Sequence, residues 1–393
     1  MTVHGKEKTE RVPQISVVIP VYNSEAYLEK CLYSVLASTF SDLEIICVDD
    51  GSSDHSMEIL RSYAEADPRF RILTQDHQYA GAARNAGILA ASGKYIHFLD
   101  SDDEILPDAY EKLCKAAREA QADVCECQYK EIRAASGEVL RCPDHRKHDR
   151  RLPLSVSSGG VNARSLIFGD VVPWNKIYLR DFLIRNGILF PDLICGEDRT
   201  FYFGVIFHTE KYIRIPDRLI LHRVGNSASL DGSDIRLRHF DVEFRSFEQI
   251  WDLVKDAPVS LKRAVLENCI HDSMFYYSRA VGTRYEQEIR ELLYNYWQPY
   301  IPMLGKSIRI RWWYLSYVKI MMKDRPGLYG KLVRLLNDRL TAANHHRGPA
   351  ASLTMALIRA ASAFIPLPSP APGENSPERS ISLPEEEGDH TAS

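Results

Sequence analysis

The sequence predicts an α/β fold with a mostly parallel sheet, followed by a mainly helical C-terminal region. Apolar strand-like runs, beginning with Ile15–Val21, alternate with helical patterns along the first 120 residues. Such alternation is typical of helices that cover both faces of a parallel sheet. Two of these strands end abruptly in acid, at Asp49-Asp50 and at Asp100. Residues 235–345 then have a mostly helical pattern.

The first predicted elements follow from apolar spacing. The run ISVVIPV at 15–21 has the β-branched character of a strand that is buried on both faces. Ser24 is predicted to be the N-cap of the next helix, and a second strand covers 43–48. A helix around Leu60 and a short strand at 71–74 follow. The alternation therefore begins at the first apolar run.

The same alternation continues toward residue 230. The later elements are a small-residue helix at 81–92, a strand at 94–99, a helix at about 107–120, a strand at 123–132, a helix that opens at Gly196-Glu197-Asp198, and a strand through Leu221-His222-Arg223. In open α/β sheets, ligands bind outside the carboxyl ends of the strands. The acidic strand ends are therefore expected to share one edge.

Composition excludes several classes of protein. The 393 residues carry a formal net charge of -4, so no overall basic field attracts nucleic acid. No apolar run reaches the ~18–20 residues that a spanning helix needs. The N-terminus lacks the apolar core of a signal peptide, and the eight cysteines form no C-x-x-C pair. We expect a cytoplasmic protein.

Four segments are predicted along the chain. An N-terminal arm covers 1–14, an α/β domain 15–230, and a helical accessory region 231–347. The remainder, 348–393, is rich in Pro, Ser and Ala and ends in acid. That composition is typical of a flexible, disordered tail.

The turn Asp100-Ser101-Asp102-Asp103 is a candidate metal site. Clustered carboxylates repel one another unless a cation lies among them. Mg²⁺ and Mn²⁺ prefer oxygen ligands and bridge phosphates. An EF-hand loop is excluded because Ile105 stands where that loop needs Gly. The alternative is an acid-rich helix N-terminus.

The second acidic pair, Asp49-Asp50, is a candidate nucleotide contact. A carboxylate at a sheet edge can accept hydrogen bonds from a nucleobase N–H or a ribose hydroxyl. The alternative is an Asx or Ser turn that caps the helix beginning near Asp54. The chain has no G-x-x-x-x-G-K-[ST] loop, no G-x-G-x-x-G, no G-x-S-x-G and no H-E-x-x-H. A nucleotide binder without those loops must hold phosphate through a metal.

Taken together, the motifs closely resemble family 2 glycosyltransferases. The resemblance is carried by VVIPVYNSEAYLEKCLYSVLASTFSDLEIICVDDGSSD and then AGAARNAGILAASGKYIHFLDSDD. It continues more weakly through VPWNKIYLRDFL and ICGEDRTFYF to about residue 230. It is greatest for the bacterial branch that builds surface polysaccharides. The resemblance implies a glycosyltransferase A fold, a nucleotide-sugar donor, a divalent metal (Mn²⁺ or Mg²⁺) and inversion at the anomeric carbon.

The resemblance also implies roles for individual residues. Implied nucleotide-sugar contacts are Pro20, Val21, Tyr22, Glu25, Asp49, Asp50, Arg84, Asp100 and Ser101. Asp50 would contact uracil and Arg84 would lie near the base and ribose. Asp102 is the implied metal ligand, with Asp100 nearer the ribose. Asp198 is the implied catalytic base, and its neighbour Glu197 stays open as an alternative. Implied contacts to acceptor or phosphate are Trp174, Lys176, His222 and Arg223.

The sequence therefore predicts an inverting glycosyltransferase. It would move a sugar, from a UDP donor, to a hydroxyl of a growing surface glycan or a lipid-linked acceptor. Two alternatives stay open: a catalytically inert nucleotide-sugar-binding or scaffolding relative, and a nucleotidyltransferase. The second lacks support because residues 20–25 read PVYNSE, without the Gly-rich basic loop that such enzymes use.

The accessory region contains a basic and aromatic segment at 303–347. It holds ten Lys or Arg against two Asp, and aromatic residues such as Trp312, Trp313 and Tyr317 are interleaved. This combination is typical of a segment that lies on an anionic membrane surface. The alternative is a helical bundle whose charges are merely solvated. Peripheral attachment to the inner face of the cell membrane is therefore expected.

This segment gives the first testable prediction. At ~1 kcal/mol per basic residue near an anionic surface, the full chain should sediment with vesicles of anionic lipid at low salt. Binding should weaken strongly with added salt, because the attraction is electrostatic. Vesicles of zwitterionic lipid are the control. Failure to bind anionic vesicles at low salt would exclude this attachment.

Overall fold

The computed structural model describes residues 12–142, 160–226, 235–297, 299–300 and 303. These residues all lie in the first of two compact units, Met1–Arg339. The predicted arm up to residue 11, the basic segment after Met303 and the predicted tail lie outside the described residues.

The described strands form one nine-stranded sheet. They are β1 (Ile15–Val21), β2 (Leu43–Asp49), β3 (Phe70–Thr74), β4 (Tyr95–Phe98), β5 (Glu104–Ile105), β6 (Val124–Arg133), β7 (Val139–Arg141), β8 (Lys176–Leu179) and β9 (Tyr212–Val224). The spatial order is β3-β2-β1-β4-β8-β6-β9-β5, and β7 pairs with β6 outside this path.

Helices cover both faces of the sheet and continue beyond it. The described helices are α1 (Leu28–Leu36), α2 (Ser56–Ala66), α3 (Tyr79–Ala90), α4 (Ala109–Ala120), α5 (Gly160–Ile167), α6 (Arg180–Arg185), α7 (Glu197–His208), α8 (Ile235–Arg238), α9 (Val242–Leu253), α10 (Val259–Ala280) and α11 (Glu286–Trp297). The helical pattern predicted after residue 235 is therefore present as far as Trp297.

Strand β1 organises the two cores. Val18 packs in a cluster with α3 and α7, whereas Val17 and Ile19 pack on the opposite face with α1, α2 and α4. All seven residues of β1 are buried. An unbroken apolar sequence is required at such a position, because both faces of the strand are covered.

The predicted α/β class is confirmed, and the sheet is mixed. Four strand pairings are parallel, β1–β2, β1–β4, β2–β3 and β6–β9. Four are antiparallel, β4–β8, β5–β9, β6–β7 and β6–β8. Three of the parallel pairings join β1 to β4 in the N-terminal part of the chain, where helical crossovers connect successive strands. Strand β8 lies between β4 and β6 and runs antiparallel to both.

One predicted helix start is wrong. Helix α1 begins at Leu28 with Tyr27 as its N-cap, not at Ser24. The Ser24 carbonyl O accepts hydrogen bonds from the N–H groups of Tyr27 (3.0 Å) and Leu28 (2.9 Å). The Ser24 hydroxyl instead lies 2.7 Å from the Ser101 hydroxyl. A tertiary contact therefore replaces the local cap that the sequence pattern predicted.

Helices α9 to α11 share a hydrophobic core with α7. Phe247, Ile250, Leu266 and Trp297 belong to the same buried cluster as Phe201. The Trp297 ring lies 4.7 Å from the Phe247 ring at an angle of 71°. The helical region therefore packs directly on the sheet-covering helices.

Among the described helices, we find none with both the length and the apolar character that a membrane crossing requires.

Helix α3 lies unusually close to β1, and a glycine makes this possible. A Cβ atom at Gly87 would lie 2.2 Å from Val18 Cγ1 and 2.9 Å from Val18 Cγ2. Val18 is itself fully buried and β-branched, so it cannot move aside easily. Gly87 therefore sets the distance between α3 and the sheet, and with it the position of Arg84 on the same helix.

The substitution Gly87→Ala tests this packing. We expect the free energy of unfolding to fall by about 1–3 kcal/mol, since an extra methyl in a packed core causes strain. Gly204→Ala is the matched control, because its Cβ would meet only Ile188 Cγ2, at an ordinary 3.5 Å. The free energy of unfolding of Gly204→Ala should rise by up to about 1 kcal/mol, because alanine has a higher helix propensity than glycine. Chemical denaturation measures both, and equal effects would contradict the close approach.

Candidate active site

The loops after the parallel strands meet at one edge of the sheet. Val21 and Asp49, the last residues of β1 and β2, are direct partners in the parallel register. The Asp50 N–H donates to the Val21 carbonyl O at 2.8 Å. The loop after β4 joins them, because the Ser24 and Ser101 hydroxyls are 2.7 Å apart. The acidic strand ends thus lie at a common edge.

Asp50 is buried and held by the segment after β3. Its Oδ1 accepts hydrogen bonds from Gln75 Nε2 (2.7 Å) and from the Gln78 N–H (2.9 Å). His77 Nδ1 lies 2.9 Å from Asp50 Oδ2. The neighbouring Asp49 Oδ1 is buried and has no hydrogen-bond partner among the described residues. A buried carboxylate oxygen without a partner can accept a hydrogen bond from a ligand.

An aromatic platform lies beside these aspartates. The Tyr22 and His77 rings stack with centroids 4.0 Å apart and an interplanar angle of 23°. Tyr79 tilts against His77 at 4.6 Å. Tyr22 remains 46% exposed, so one of its surfaces is open to a ligand. His77 is not among the site residues predicted from the sequence, although His77 follows the end of β3 at the same edge.

Pro20 and Val21 lie in a different environment from Glu25 at this edge. Pro20 and Val21 are buried at the end of β1. Glu25 is exposed, and its Oε2 accepts from the His55 N–H (3.0 Å) and lies 2.7 Å from His55 Nδ1. These contacts with His55 hold the pKa of Glu25 below its usual range. Glu25 thereby ties the loop after β1 to the start of α2.

The acidic turn after β4 is held by the end of β9. Asp103 is fully buried and its Oδ1 accepts from the Arg223 N–H at 2.8 Å and lies 3.0 Å from His222 Nδ1. Arg223 Nε donates to the Asp102 carbonyl O at 2.9 Å. Asn226 Nδ2 donates to Asp102 Oδ2, also at 2.9 Å. The C-terminal end of β9 therefore fixes the conformation of this turn.

Burial controls the protonation of this turn. Burial raises the pKa of Asp102, and the hydrogen bond from Asn226 opposes the rise. Burial also disfavours the charged form of His222, but the Asp103 carboxylate outweighs it and raises the pKa of His222 to about 9. Burial raises the pKa of Asp103 to about 7 and the neighbouring His222 opposes this rise, while the His222 ring stacks on Trp174 at 4.3 Å.

Lys176 and Trp174 are both buried in the interior. The Lys176 ammonium donates to the carbonyl oxygens of Asp170 (2.8 Å) and Val172 (2.7 Å) and to Asn175 Oδ1 (2.6 Å). An ammonium has three protons, so these contacts use all of them. Burial lowers the pKa of Lys176. Trp174 is also buried, with its carbonyl O 2.7 Å from His97 Nε2.

Arg84 joins the acidic turn to the acids of α7. Its Nη2 donates to Asp100 Oδ1 at 2.9 Å, and its Nη1 donates to Asp198 Oδ1 at 2.9 Å. Nη1 also lies 3.3 Å from Glu197 Oε1. Three carboxylates therefore converge on one guanidinium, and the cluster keeps an excess of negative charge.

This convergence shifts the ionisation of the cluster. Burial would destabilise the Arg84 cation, but Asp198, Asp100 and Glu197 outweigh it and raise the pKa of Arg84. Burial raises the pKa of Asp198 to about 7; Arg84 opposes this rise, and Glu197 and Asp100 add to it. The side chain of Asp198 is 29% exposed, whereas that of Glu197 is 8% exposed. A carboxylate with these properties can accept a proton from a ligand hydroxyl near neutral pH.

Local sequence explains how α7 presents these acids. Gly196 adopts φ +76° as the N-cap of α7, a conformation that L side chains rarely adopt. Glu197 and Asp198 fill the first turn, where acids favour the helix dipole. Gly81 on α3 allows a close approach, since a Cβ there would lie 3.3 Å from Glu197 Cγ.

The chain is similar in sequence to known glycosyltransferases. The profile described as Glycosyl transferase family 2 matches residues 16–186. The uncharacterized glycosyltransferase YibD of Escherichia coli (strain K12) is 37% identical over 230 residues, covering 54% of this chain and 65% of YibD. The uncharacterized glycosyltransferase EpsJ of Bacillus subtilis (strain 168) is 32% identical over 214 residues, covering 54% of this chain and 61% of EpsJ. The chain thus spans less than two thirds of either relative.

Solved structures agree in fold. The crystal structure of S. aureus TarS 1-349 in complex with UDP-GlcNAc superposes with a TM-score of 0.64 at 20% identity. The superposition covers 82% of this chain and 92% of that one. At this level of identity the likeness concerns the fold alone, and it confirms the predicted glycosyltransferase A architecture. Residues 16–186 of the chain are thus similar to glycosyl transferase family 2.

Proposed function

We propose that the protein transfers a sugar from a nucleotide donor, UDP-linked, to a hydroxyl of a growing surface glycan or a lipid-linked acceptor, with inversion. The observation that carries this proposal is the Arg84 cluster. The Arg84 guanidinium donates hydrogen bonds to Asp100 and to Asp198. Asp100 belongs to the acidic turn that would face the donor, and Asp198 would face the acceptor. The family, and the names of relatives such as YibD and EpsJ, support the reaction class.

The donor would bind along the sheet edge. Tyr22 offers a stacking surface for a base, and the buried carboxylates of Asp49 and Asp50 offer acceptors for its N–H groups. The acidic turn follows on the next strand, where Asp100 and Ser101 would approach the ribose. A UDP-linked donor is supported by the related fold of TarS, whose structure holds UDP-GlcNAc.

A divalent cation, Mn²⁺ or Mg²⁺, would complete the donor site. Among the described residues, no group of three or more His, Cys, Asp or Glu side chains could hold a metal. Asp102 and Asp100 therefore fit only an ion that takes few protein ligands and fills its shell with phosphate oxygens and water. When bound there, the ion would neutralise charge on the departing diphosphate. Burial raises the pKa of Asp102 and the nearby charge of Asp100 adds to the rise, so a cation beside these two carboxylates would be favoured.

Asp198 would act as the general base. Glycosyl transfer has an oxocarbenium-like transition state, so a single carboxylate opposite the leaving group suffices for one inverting displacement. Asp198 is preferred over Glu197 because more of its side chain is exposed. Arg84 would fix the orientation of this carboxylate. His222 and Arg223 would act indirectly, by holding the acidic turn.

Donor turnover tests the whole proposal. Purified protein should release nucleotide from one member of a panel of UDP, GDP and dTDP sugars, with mass spectrometry as the readout. A UDP sugar is expected to react fastest. Binding without release from any donor would instead favour the inert, nucleotide-sugar-binding alternative. The absence of both would contradict the proposed function.

The substitution Asp198→Asn tests the base. The amide cannot accept the acceptor's proton, so kcat should fall by about 10²–10⁴-fold while donor binding stays nearly unchanged. Glu197→Gln is the matched control and should lower kcat much less than Asp198→Asn does. The wild-type rate should fall as pH drops through about 7, because protonation of Asp198 removes the base. Near-normal turnover by Asp198→Asn would exclude this assignment.

Asp102→Ala tests the cation. The substitution and chelation of divalent metal should each weaken UDP binding, measured by calorimetry with and without Mn²⁺. Addition of Mn²⁺ should restore binding to the wild type and not to Asp102→Ala. UDP affinity that survives chelation unchanged would contradict a metal at this turn.

A further inference from the structure

The first turn of α7 is held from two sides. Arg84 contacts Glu197 and Asp198 from the sheet side. The next two residues, Arg199 and Thr200, contact α9 and α10, which the sequence analysis assigned to an accessory region. The acids proposed for catalysis therefore lie between the sheet and the helical region.

Ser246 on α9 makes the most direct of these contacts. It is fully buried, and its hydroxyl donates to the Gly196 carbonyl O at 3.3 Å. The Thr200 hydroxyl lies 2.9 Å from the same Ser246 Oγ. Since a serine hydroxyl has one proton, Thr200 donates to Ser246 when Ser246 donates to Gly196. One side chain thus joins the N-cap of α7 to the end of its first turn.

A buried ionic network holds the same turn. Arg199 Nη1 lies 2.9 Å from Glu243 Oε2 on α9, and Arg199 Nε lies 3.2 Å from Asp272 Oδ2 on α10. The side chains of Arg199 and Glu243 are 4% and 0% exposed. Such buried ion pairs contribute little net stability, but breaking one is costly, so they favour a single arrangement of the packed helices.

We propose that Ser246 is a positioning residue for Asp198, so that α9 supports the catalytic carboxylate. The inference rests on the proposed function. Gly196 and Thr200 flank Asp198 within a single helical turn, so a contact that fixes both also fixes the direction of the carboxylate. Misplacement of a catalytic group by about 1 Å can cost as much as ~10²-fold in rate. Loss of Ser246 should therefore reduce catalysis without loss of donor binding.

The test compares Ser246→Ala with Ser273→Ala. Ser273 is an equally buried serine on α10, and its hydroxyl donates to the Cys269 carbonyl O of the same helix at 2.9 Å. Both variants lose one buried hydroxyl from the helical region. The assay uses the donor that wild-type protein turns over fastest in the nucleotide-sugar panel. Ser246→Ala should lower kcat by about tenfold with donor KM within about twofold, whereas Ser273→Ala should keep wild-type kcat.

A second pair covers the case in which Ser246→Ala does not fold. Glu243→Gln weakens the pair with Arg199, while Glu267→Gln weakens the pair between Glu267 on α10 and Arg164, 2.6 Å apart. Only Glu243→Gln should lower kcat at unchanged donor KM. Equal kcat within either matched pair, or loss of donor binding together with kcat, would overturn the inference. An inactive wild type would instead contradict the proposed function.

Discussion

The site depends on one guanidinium that three carboxylates share. Arg84 lies on α3, Asp100 follows β4, and Glu197 and Asp198 open α7, so the cluster joins three elements that are distant in sequence. Without Arg84, these acids would repel one another in a partly buried site. With it, a net negative charge remains at the sheet edge, and one carboxylate keeps a pKa near neutrality. The same interaction thus holds three acidic side chains together at this edge of the sheet.

Packing determines where that guanidinium lies. Gly87 lets α3 approach β1, and Gly81 lets it approach Glu197, so small residues on one helix adjust its distance to two partners. On the other side, β9 holds the acidic turn through Asp103, and α9 holds the first turn of α7 through Ser246. The acidic side chains of the candidate site are therefore held by residues of several packed elements. A rigid arrangement of this kind lowers the reorganisation needed at the moment of reaction.

These contacts join the C-terminal helices to α7. Their aromatic side chains, such as Phe247 and Trp297, extend the core that contains α7. Their charged side chains reach the first turn of α7. A region that appears accessory in sequence is thus continuous with the core that contains α7.

The sequence alone determined the α/β class, the order of strands β1 to β4, β6 and β9, and the acidic strand ends, because apolar periodicity and strand-end residues are local signals. It also carried the family resemblance that the profile match confirms. Tertiary structure alone decided the antiparallel insertion of β8, the role of Ser24 as a loop contact, and the burial of the Lys176 ammonium against carbonyl oxygens. It likewise decided that Arg84 lies among carboxylates and that Ser246 reaches Gly196. These contacts join residues far apart in the chain, and no spacing pattern in the sequence records which side chains the packed core brings within hydrogen-bond distance.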